Sequence, residues 1–211
     1  MKSIIIGAGT YGDVYLAYLQ EAGIEVIGFV DDNPTLQKKL IRGIPVLGTI
    51  NDLEVIKVTC NAQAVYCPIG NNRLRVQFLE FAKSLGYATP NFIHPSAIIH
   101  SSVKIGRGVY ILLGVKVMPY TIIDDYVMIS MNALIAHHSH LHRGTFISTG
   151  VNFGASIEAK DNAYIGIGST VMTGLHILGE NCTIGAGAVV IRDVPDNAVM
   201  AGVPAKIIKY K

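Results

Sequence analysis

The stretch that decides the fold is YVMISMNALIAHHSHLHRGTFISTGVNF, residues 126–153. A bulky apolar residue recurs in it at every sixth position: Ile129, Ile135, Leu141, Ile147 and Phe153. An α-helix, with about 3.6 residues per turn, cannot keep a strict period of six. A parallel β-helix built from hexapeptide repeats keeps it, with three short strands in each coil of about eighteen residues.

The period extends far beyond this stretch. Steps of six from Ile93 to Ile177 meet a bulky apolar residue every time except at Ala159, and the residue four positions later is nearly always small or β-branched. One residue is inserted within LHILGENCTIGAGAVV, residues 175–190, which predicts a local bulge. After it the phase resumes at the following residues: Leu178, Ile184 and Val190.

We therefore predict a parallel β-helix from residue 93 to about residue 200, in a domain that comprises residues 93–211. The large apolar residues of the repeat should fill its interior. Those expected inside are Ile99, Ile105, Ile111, Ile123, Ile129, Ile135 and Ile147.

Residues 1–92 differ in kind, because strand and helix patterns alternate there. SIIIG, IEVIGFV and AVYC are typical of buried strands, whereas residues 11–23 and 71–86 are typical of helices. The apolar side of the second helix should comprise Leu74, Phe78, Phe81 and Ala82. This alternation predicts an α/β domain with a small Rossmann-like parallel sheet.

A glycine loop follows the first predicted strand and opens the first predicted helix. Glycines allow the backbone to approach a phosphate, and a helix N-terminus favours an anion. Asp31 and Asp32, at the end of the second strand, can accept hydrogen bonds from a ribose or a base. We therefore predict a bound nucleotide, contacted by Gly7, Gly9, Thr10, Tyr11 and Gly12.

A second loop, which also follows a strand and opens a helix, should face the same ligand with Gly70, Asn71 and Asn72. Arg75 either meets a phosphate or faces solvent. A domain of about 90 residues is only one half of a dinucleotide fold, which argues against NAD.

Composition excludes several classes of protein. The net charge is +2 without a basic run, which disfavours nucleic acid as a partner. The sequence contains no uninterrupted run of about 18 apolar residues, so no membrane span is predicted. The three cysteines, Cys60, Cys67 and Cys182, are too widely spaced for a disulfide framework or a C-x-x-C metal pair, so a reducing cytoplasm is expected.

The segment AHHSHLH, residues 136–142, holds four of the seven histidines. It contains no cysteine or carboxylate to complete a metal shell, so we predict no metal site within it. Residues eighteen apart should stack in neighbouring coils. This spacing predicts an outward column of His140, Glu158 and His176, in which Glu158 raises the pKa of its neighbours.

The whole chain resembles one known family, the bacterial sugar acetyltransferases. These include sialic acid O-acetyltransferases and N-acetyltransferases of nucleotide-linked 4-amino-4,6-dideoxy sugars. The resemblance rests on GAGTYG, VDDNP, GIPVLG, IGNNRLR, ALIAHHSHL, YIGIGSTV, IGAGAVVIRDVP and AGVPAKII. It implies a left-handed β-helix, a homotrimer, acetyl-CoA between neighbouring β-helices and a uridine nucleotide in the N-terminal domain.

The resemblance also implies roles for single residues. His137 aligns with the general base of the family, and His138 occupies the place of the acidic residue that usually follows the base. Tyr11 aligns with a nucleotide-side histidine of the family. Coenzyme contacts are implied for Phe146, Gly154, Ala155, Ile167 and Gly185.

The function expected from these features is acetyl transfer from acetyl-CoA to the amine of a UDP-linked 4-amino-4,6-dideoxy sugar, without a metal. One alternative is O-acetylation of sialic acid or another sugar. Two others come from different classes. They are a non-catalytic nucleotide-sugar-binding trimer and a metal-dependent enzyme of the γ-carbonic anhydrase type.

Overall fold

A computed structural model describes all 211 residues, which divide into two compact units, Met1–Pro90 and Asn91–Lys211. The division falls two residues before the expected boundary. Asn91 donates its side-chain amide to Gly106 O (2.8 Å), and Phe92 N–H bonds to Val109 O (2.9 Å), so both residues already belong to the first coil. None of the helices is long and apolar enough to cross a membrane.

The first unit is a five-stranded sheet with three helices. Its strands are β1 (Ser3–Ile6), β2 (Val26–Val30), β3 (Leu40–Ile41), β4 (Ile44–Gly48) and β5 (Ala64–Tyr66), and its helices are α1 (Thr10–Glu21), α2 (Leu53–Thr59) and α3 (Asn72–Ser84). The strand order is β3-β4-β2-β1-β5, and every pair except the β3–β4 hairpin is parallel. The predicted Rossmann-like sheet is confirmed, but the hairpin and α2 were not foreseen.

The predicted apolar side of α3 is partly wrong. Leu74 and Phe81 are exposed, and the fully buried residues of this helix include Arg75, with no exposed surface. The guanidinium donates to Ile69 O (2.8 Å) and, through two nitrogens, to Asn72 Oδ1 (3.1 Å each). Arg75 therefore does not face solvent, and it fastens the loop that precedes its own helix.

The second unit is a left-handed parallel β-helix with three faces, each a ladder of strands that are two residues long except for the last two of the third face. The first face comprises β7 (Ile98–Ile99), β10 (Lys116–Val117), β13 (Leu134–Ile135), β16 (Asn152–Phe153), β19 (Thr170–Val171) and β22 (Val189–Val190). The second comprises β8 (Lys104–Ile105), β11 (Ile122–Ile123), β14 (His140–Leu141), β17 (Glu158–Ala159) and β20 (Ile177–Leu178). The third comprises β6 (Phe92–Ile93), β9 (Tyr110–Ile111), β12 (Met128–Ile129), β15 (Phe146–Ile147), β18 (Tyr164–Ile165), β21 (Thr183–Ile184), β23 (Ala198–Ala201) and the antiparallel β24 (Lys206–Tyr210).

The step of six places its residues in the core as predicted. Ile111, Ile123, Ile129, Ile135 and Ile147 are each at most 1% exposed. Burying such a side chain contributes about 1.5–3 kcal/mol. The repeat is less buried in its first coils, where Ile99 and Ile105 are only partly buried and Ile93 is 39% exposed.

The inserted residue changes the stacking distance from eighteen to nineteen. Leu141 pairs with Ala159, but Ala159 pairs with Leu178. Leu178 is fully buried and Ile177 is exposed, so the predicted change of phase is confirmed.

From Gly108 to Gly174, each successive corner of the β-helix uses one residue in the left-handed region. This residue recurs at each sixth position from Gly108 to Gly174 and has φ between 57° and 103°. Glycine, asparagine and histidine adopt this region more readily than β-branched residues do. His138, with φ 58°, is one of these corner residues.

Candidate active site

His137 and His138 form the turn from the first face to the second, and both side chains are exposed. Their Nδ1 atoms lie 3.0 Å apart, and the rings meet edge to face with centroids 5.1 Å apart. One Nδ1 must donate its hydrogen and the other must accept. If His137 donates to His138, then Nε2 of His137 carries the free lone pair that a proton acceptor needs.

Neighbouring coils hold this turn in place. His138 N–H bonds to Pro119 O (3.1 Å), and Ser156 N–H bonds to His137 O (3.0 Å). The ring of Tyr120 lies against that of His138, with centroids 4.8 Å apart. Hydrogen bonds to the preceding and the following coil thus fix the backbone of the turn, and the ring of Tyr120 in the preceding coil packs against the imidazole of His138.

Gly154 and Ala155, two of the residues expected to contact the coenzyme, belong to the corner one coil above His137. Ala155 follows His137 by eighteen residues, the stacking distance of these coils. A side chain at Gly154 would place its Cβ 2.6 Å from Thr173 N, so the close approach of the coils requires glycine. Ala155 N–H bonds to Thr173 Oγ1 (3.1 Å).

The other expected coenzyme residues lie elsewhere on the coil. Ile167 and Gly185 belong to the corner between the third and first faces, and Ile167 is exposed. Phe146 lies on the third face, where it is buried with its ring 5.3 Å from that of Tyr164. The two corners border the first face, whose exposed apolar side chains are Ile98, Met118, Met172 and Ile191.

The glycine loop of the first unit contains glycines that the backbone requires and one glycine with free space beside it. Gly7 has φ 98°, and a Cβ at Gly12 would lie 2.0 Å from Gly7 O, so neither position accepts a side chain without strain. A Cβ at Gly9 would meet nothing within 4 Å. Gly9 immediately precedes α1, with Thr10 exposed beside it and the ring of Tyr11 packed edge-on against Tyr15.

The acidic pair has structural partners of its own. Asp31 accepts from Ala8 N–H (2.7 Å) and Asn33 N–H (2.8 Å), and Asp32 accepts from Ile50 N–H (2.9 Å). Asp31 therefore ties the end of β2 to the glycine loop. Both carboxylates line a cleft of about 210 Å³ whose other walls are Ile6, Gly7, Val30, Ile50, Ile69, Leu74 and Phe78.

The second loop is held mainly by its own side chains. Asn71 caps α3 by accepting from Leu74 N–H (3.2 Å), and the buried Asn72 accepts from Arg75. Gly70 is exposed. Ile69 and Leu74 line the cleft, so the loop brings apolar surface to it.

The predicted column of His140, Glu158 and His176 is partly wrong: His140 and Glu158 pair in successive coils, but His176 does not continue the column. His140 Nε2 lies 2.9 Å from Asp124 Oδ2, and Glu158 Oε2 instead contacts His142 Nε2 (3.2 Å) and Lys160. The inserted residue pairs Glu158 with Ile177 rather than with His176. Hydrogen bonding to Lys160, with a smaller contribution from His142, lowers the pKa of Glu158.

Cys67 and Cys182 do not offer a nucleophile of ordinary reactivity. Burial raises the pKa of both Cys67 and Cys182 to about 12. A thiol is nucleophilic as the thiolate, which these two residues do not form near neutral pH. The reactive side chains at the exposed corner are therefore the histidines.

A left-handed β-helix with a paired histidine at an exposed corner, joined to a Rossmann-like unit, defines the class of hexapeptide-repeat transferases. Residues 2–81 match the PglD N-terminal domain. PerB from Caulobacter crescentus, solved with CoA and GDP-perosamine, has a TM-score of 0.86 and 31% identity over 99% of this chain and 98% of its own. The acetyltransferase domain of PglB from Neisseria gonorrhoeae has a TM-score of 0.89 and 31% identity over 98% and 99% of the two chains.

The chain therefore belongs to the bacterial sugar acetyltransferases of the hexapeptide-repeat family. Among curated proteins, the GDP-perosamine N-acetyltransferase of Escherichia coli O157:H7 is 27% identical over 97% of this chain and 95% of that enzyme. Other curated relatives match over less of their length. The chain spans 42% and 66% of two putative acetyltransferases from Schizosaccharomyces pombe and Saccharomyces cerevisiae.

Proposed function

We propose that the protein transfers the acetyl group of acetyl-CoA to the amine of a nucleotide-linked 4-amino-4,6-dideoxy sugar. Two similar proteins support the proposal over nearly their full length. PerB was solved with CoA and GDP-perosamine, and the relative from Escherichia coli O157:H7 is a GDP-perosamine N-acetyltransferase.

The observation that carries the proposal is the pairing of His137 with His138 at an exposed corner. The sugar amine attacks the thioester carbonyl and must lose a proton as the C–N bond forms, and the C–S bond then breaks to release CoA, whose sulfur takes up a proton as the free thiol. With its Nδ1 hydrogen directed to His138, His137 accepts that proton at Nε2. His138 is then a positioning residue, which fixes the ring and tautomer of His137 in the place where the family usually has an acid.

Proximity supplies the other part of the rate. Binding the amine and the thioester side by side converts a bimolecular reaction into an effectively unimolecular one. Gly154 and Ala155 lie one coil above His137, so we assign the acetyl end of the coenzyme to this corner.

Binding of acetyl-CoA between two copies is the second part of the proposal. The residues expected to contact it lie at both corners that border the first face, and that face exposes apolar side chains. Exposed apolar surface of this kind marks interaction sites. We assign this face to the contact between subunits of a homotrimer, with Ile167 and Gly185 of one chain facing His137 of a second.

The nucleotide is assigned to the cleft beside Asp31 and Asp32, with its phosphates at Gly9 and Thr10. The resemblance of the glycine loop favours uridine, whereas the GDP-perosamine of two relatives favours guanosine. Thermal stabilisation by UDP and by GDP at equal concentration separates the two, since stabilisation increases with affinity. We expect the larger shift with UDP, and a shift with GDP alone would reverse the assignment.

Release of free thiol from acetyl-CoA, measured with a panel of UDP- and GDP-linked amino sugars, tests the activity. We expect release with a 4-amino-4,6-dideoxy sugar and none with the same sugar already N-acetylated, which is the control. Equal release with the N-acetylated control sugar would indicate O-acetylation. No release with any sugar would contradict catalysis.

A further inference from the structure

A cluster of metal-ligating side chains lies on the second face of the β-helix, beside the candidate active site. Asp124 follows β11, whereas His140 and His142 flank the buried Leu141 in the next coil. Asp124 precedes His142 by eighteen residues, so the two occupy the same position in successive coils. All three side chains are partly buried.

The distances suit a common ion. Asp124 Oδ2 lies 2.9 Å from His140 Nε2 and 3.8 Å from His142 Nδ1, and one ligand atom from each residue lies within 4.8 Å of the others. Bonds of about 2.0–2.2 Å in a tetrahedral Zn²⁺ site separate the ligand atoms by roughly 3.3 Å. These two distances bracket this separation, so side-chain rotations would bring the three ligand atoms to one ion.

The far side of His142 provides an independent argument. Its Nδ1 faces Asp124 while its Nε2 lies 3.2 Å from Glu158 Oε2, and Glu158 also pairs with Lys160. A histidine that ligates a metal commonly donates its other N–H to a carboxylate, which fixes the tautomer and the ring orientation. Glu158 supplies this carboxylate from the next coil, and Lys160 holds it in place.

The ligand set restricts which occupant fits. The imidazoles of His140 and His142 are stacked with centroids 3.8 Å apart, so one ring must rotate before a nitrogen of each faces the same ion. Imidazole with a carboxylate suits late divalent transition metals, whereas Mg²⁺ and Ca²⁺ prefer oxygen ligands. We propose that Asp124, His140 and His142 bind a divalent transition metal ion of the Zn²⁺ type, which joins neighbouring coils and takes no part in acetyl transfer.

Titration calorimetry with Zn²⁺ on chelator-treated protein tests the site directly. We expect about one ion per chain, a raised melting temperature, and loss of binding in the double variant Asp124→Asn, His142→Ala. Glu158→Gln should weaken affinity about 10–100-fold without abolishing binding. His100→Ala is the matched control, because His100 lies on another turn with Ser102 as its partner and should leave binding unchanged.

The absorption spectrum of bound Co²⁺ is a second measurement that does not depend on activity. Absorption bands typical of Co²⁺ bound by nitrogen and oxygen ligands in the wild type, and no such bands in the double variant, would support the site. Absence of Zn²⁺ binding by the wild type, or equal binding by the double variant, would overturn the proposal. The chelator should leave thiol release unchanged, so this inference and the proposed acetyl transfer can fail separately.

Discussion

The two units of the molecule relate sequence to structure in opposite ways. In the β-helix, the position of a residue within its hexapeptide determines its environment, so that Ile129 and Ile147 have equivalent neighbours in different coils. In the N-terminal unit, no position repeats, and Arg75 and Asp31 each have surroundings found nowhere else in the chain. A periodic pattern therefore predicts environment, whereas a motif predicts only a local conformation.

The largest effect is expected from a charged residue at an interior position of the repeat, which tests whether the position in the hexapeptide determines burial. Ile129→Asp places an unpaired carboxylate in the core, where Ile129 is 1% exposed, and should lower the free energy of unfolding by more than about 4 kcal/mol. Urea unfolding measures the change. Ile208→Asp, at an exposed position of the same unit, should cost less than about 0.5 kcal/mol. Equal midpoints for the two variants would show that the register is wrong.

The corresponding change in the N-terminal unit removes the buried guanidinium. Arg75→Met leaves Asn72 Oδ1 and Ile69 O without their donor, and we expect a loss of about 3 kcal/mol. The exposed Arg73 on the same helix gives the control, Arg73→Met, which should change stability by less than about 0.5 kcal/mol. If both variants unfold alike, Arg75 does not fasten the loop.

The glycine loop allows a comparison within one motif. Gly12→Ala forces a Cβ to within 2.0 Å of Gly7 O and should cost about 2–3 kcal/mol. Gly9→Ala meets open space, so its stability should be unchanged while UDP affinity falls. Chemical unfolding and thermal shift with UDP check the two effects. Unchanged UDP binding by Gly9→Ala would remove Gly9 from the phosphate site.

The smallest effect concerns the inserted turn of the β-helix. Asp193 accepts hydrogen bonds from His176 N–H (2.6 Å) and Ile177 N–H (3.0 Å), which lower its pKa. Because the folded pKa lies below the unfolded value of about 3.9, the stabilisation is present above that pH and is lost as the pH falls through the folded pKa. Asp193→Ala should cost about 1 kcal/mol at pH 7. The difference from wild type should disappear in strong acid, and a difference that persists there would exclude the carboxylate as its cause.

The same contrast between the two units explains which parts of the structure could be predicted from the sequence. The step of six located the β-helix, its core and the change of phase near Ile177 without further information. The step of eighteen failed for Glu158 and His176, because the inserted residue shifts the stacking between them. The same step of eighteen, taken from His142 toward the N-terminus, reaches Asp124, so the carboxylate of the proposed metal site could have been found.

The N-terminal unit was less predictable because its polar side chains serve the chain itself. Asn71 and Asn72 were assigned to a ligand from their place after a strand, and Arg75 was left between a phosphate and solvent. In the structure Asn71 caps α3, and the guanidinium of Arg75 bonds to Asn72 and to Ile69 O. Nothing in the local pattern distinguishes an arginine that meets phosphate from one that meets a carbonyl group of its own loop. The difference depends on packing between α3 and the sheet, which a motif does not encode.

The central claim, that His137 accepts the proton of the sugar amine, is tested most directly by the turnover number of His137→Ala with saturating acetyl-CoA and amino sugar. Loss of a general base typically costs about 10²–10⁴-fold in rate. We expect a fall of that size with acetyl-CoA still bound, a smaller fall in His138→Ala, and none in His100→Ala. Full turnover in His137→Ala would contradict the account.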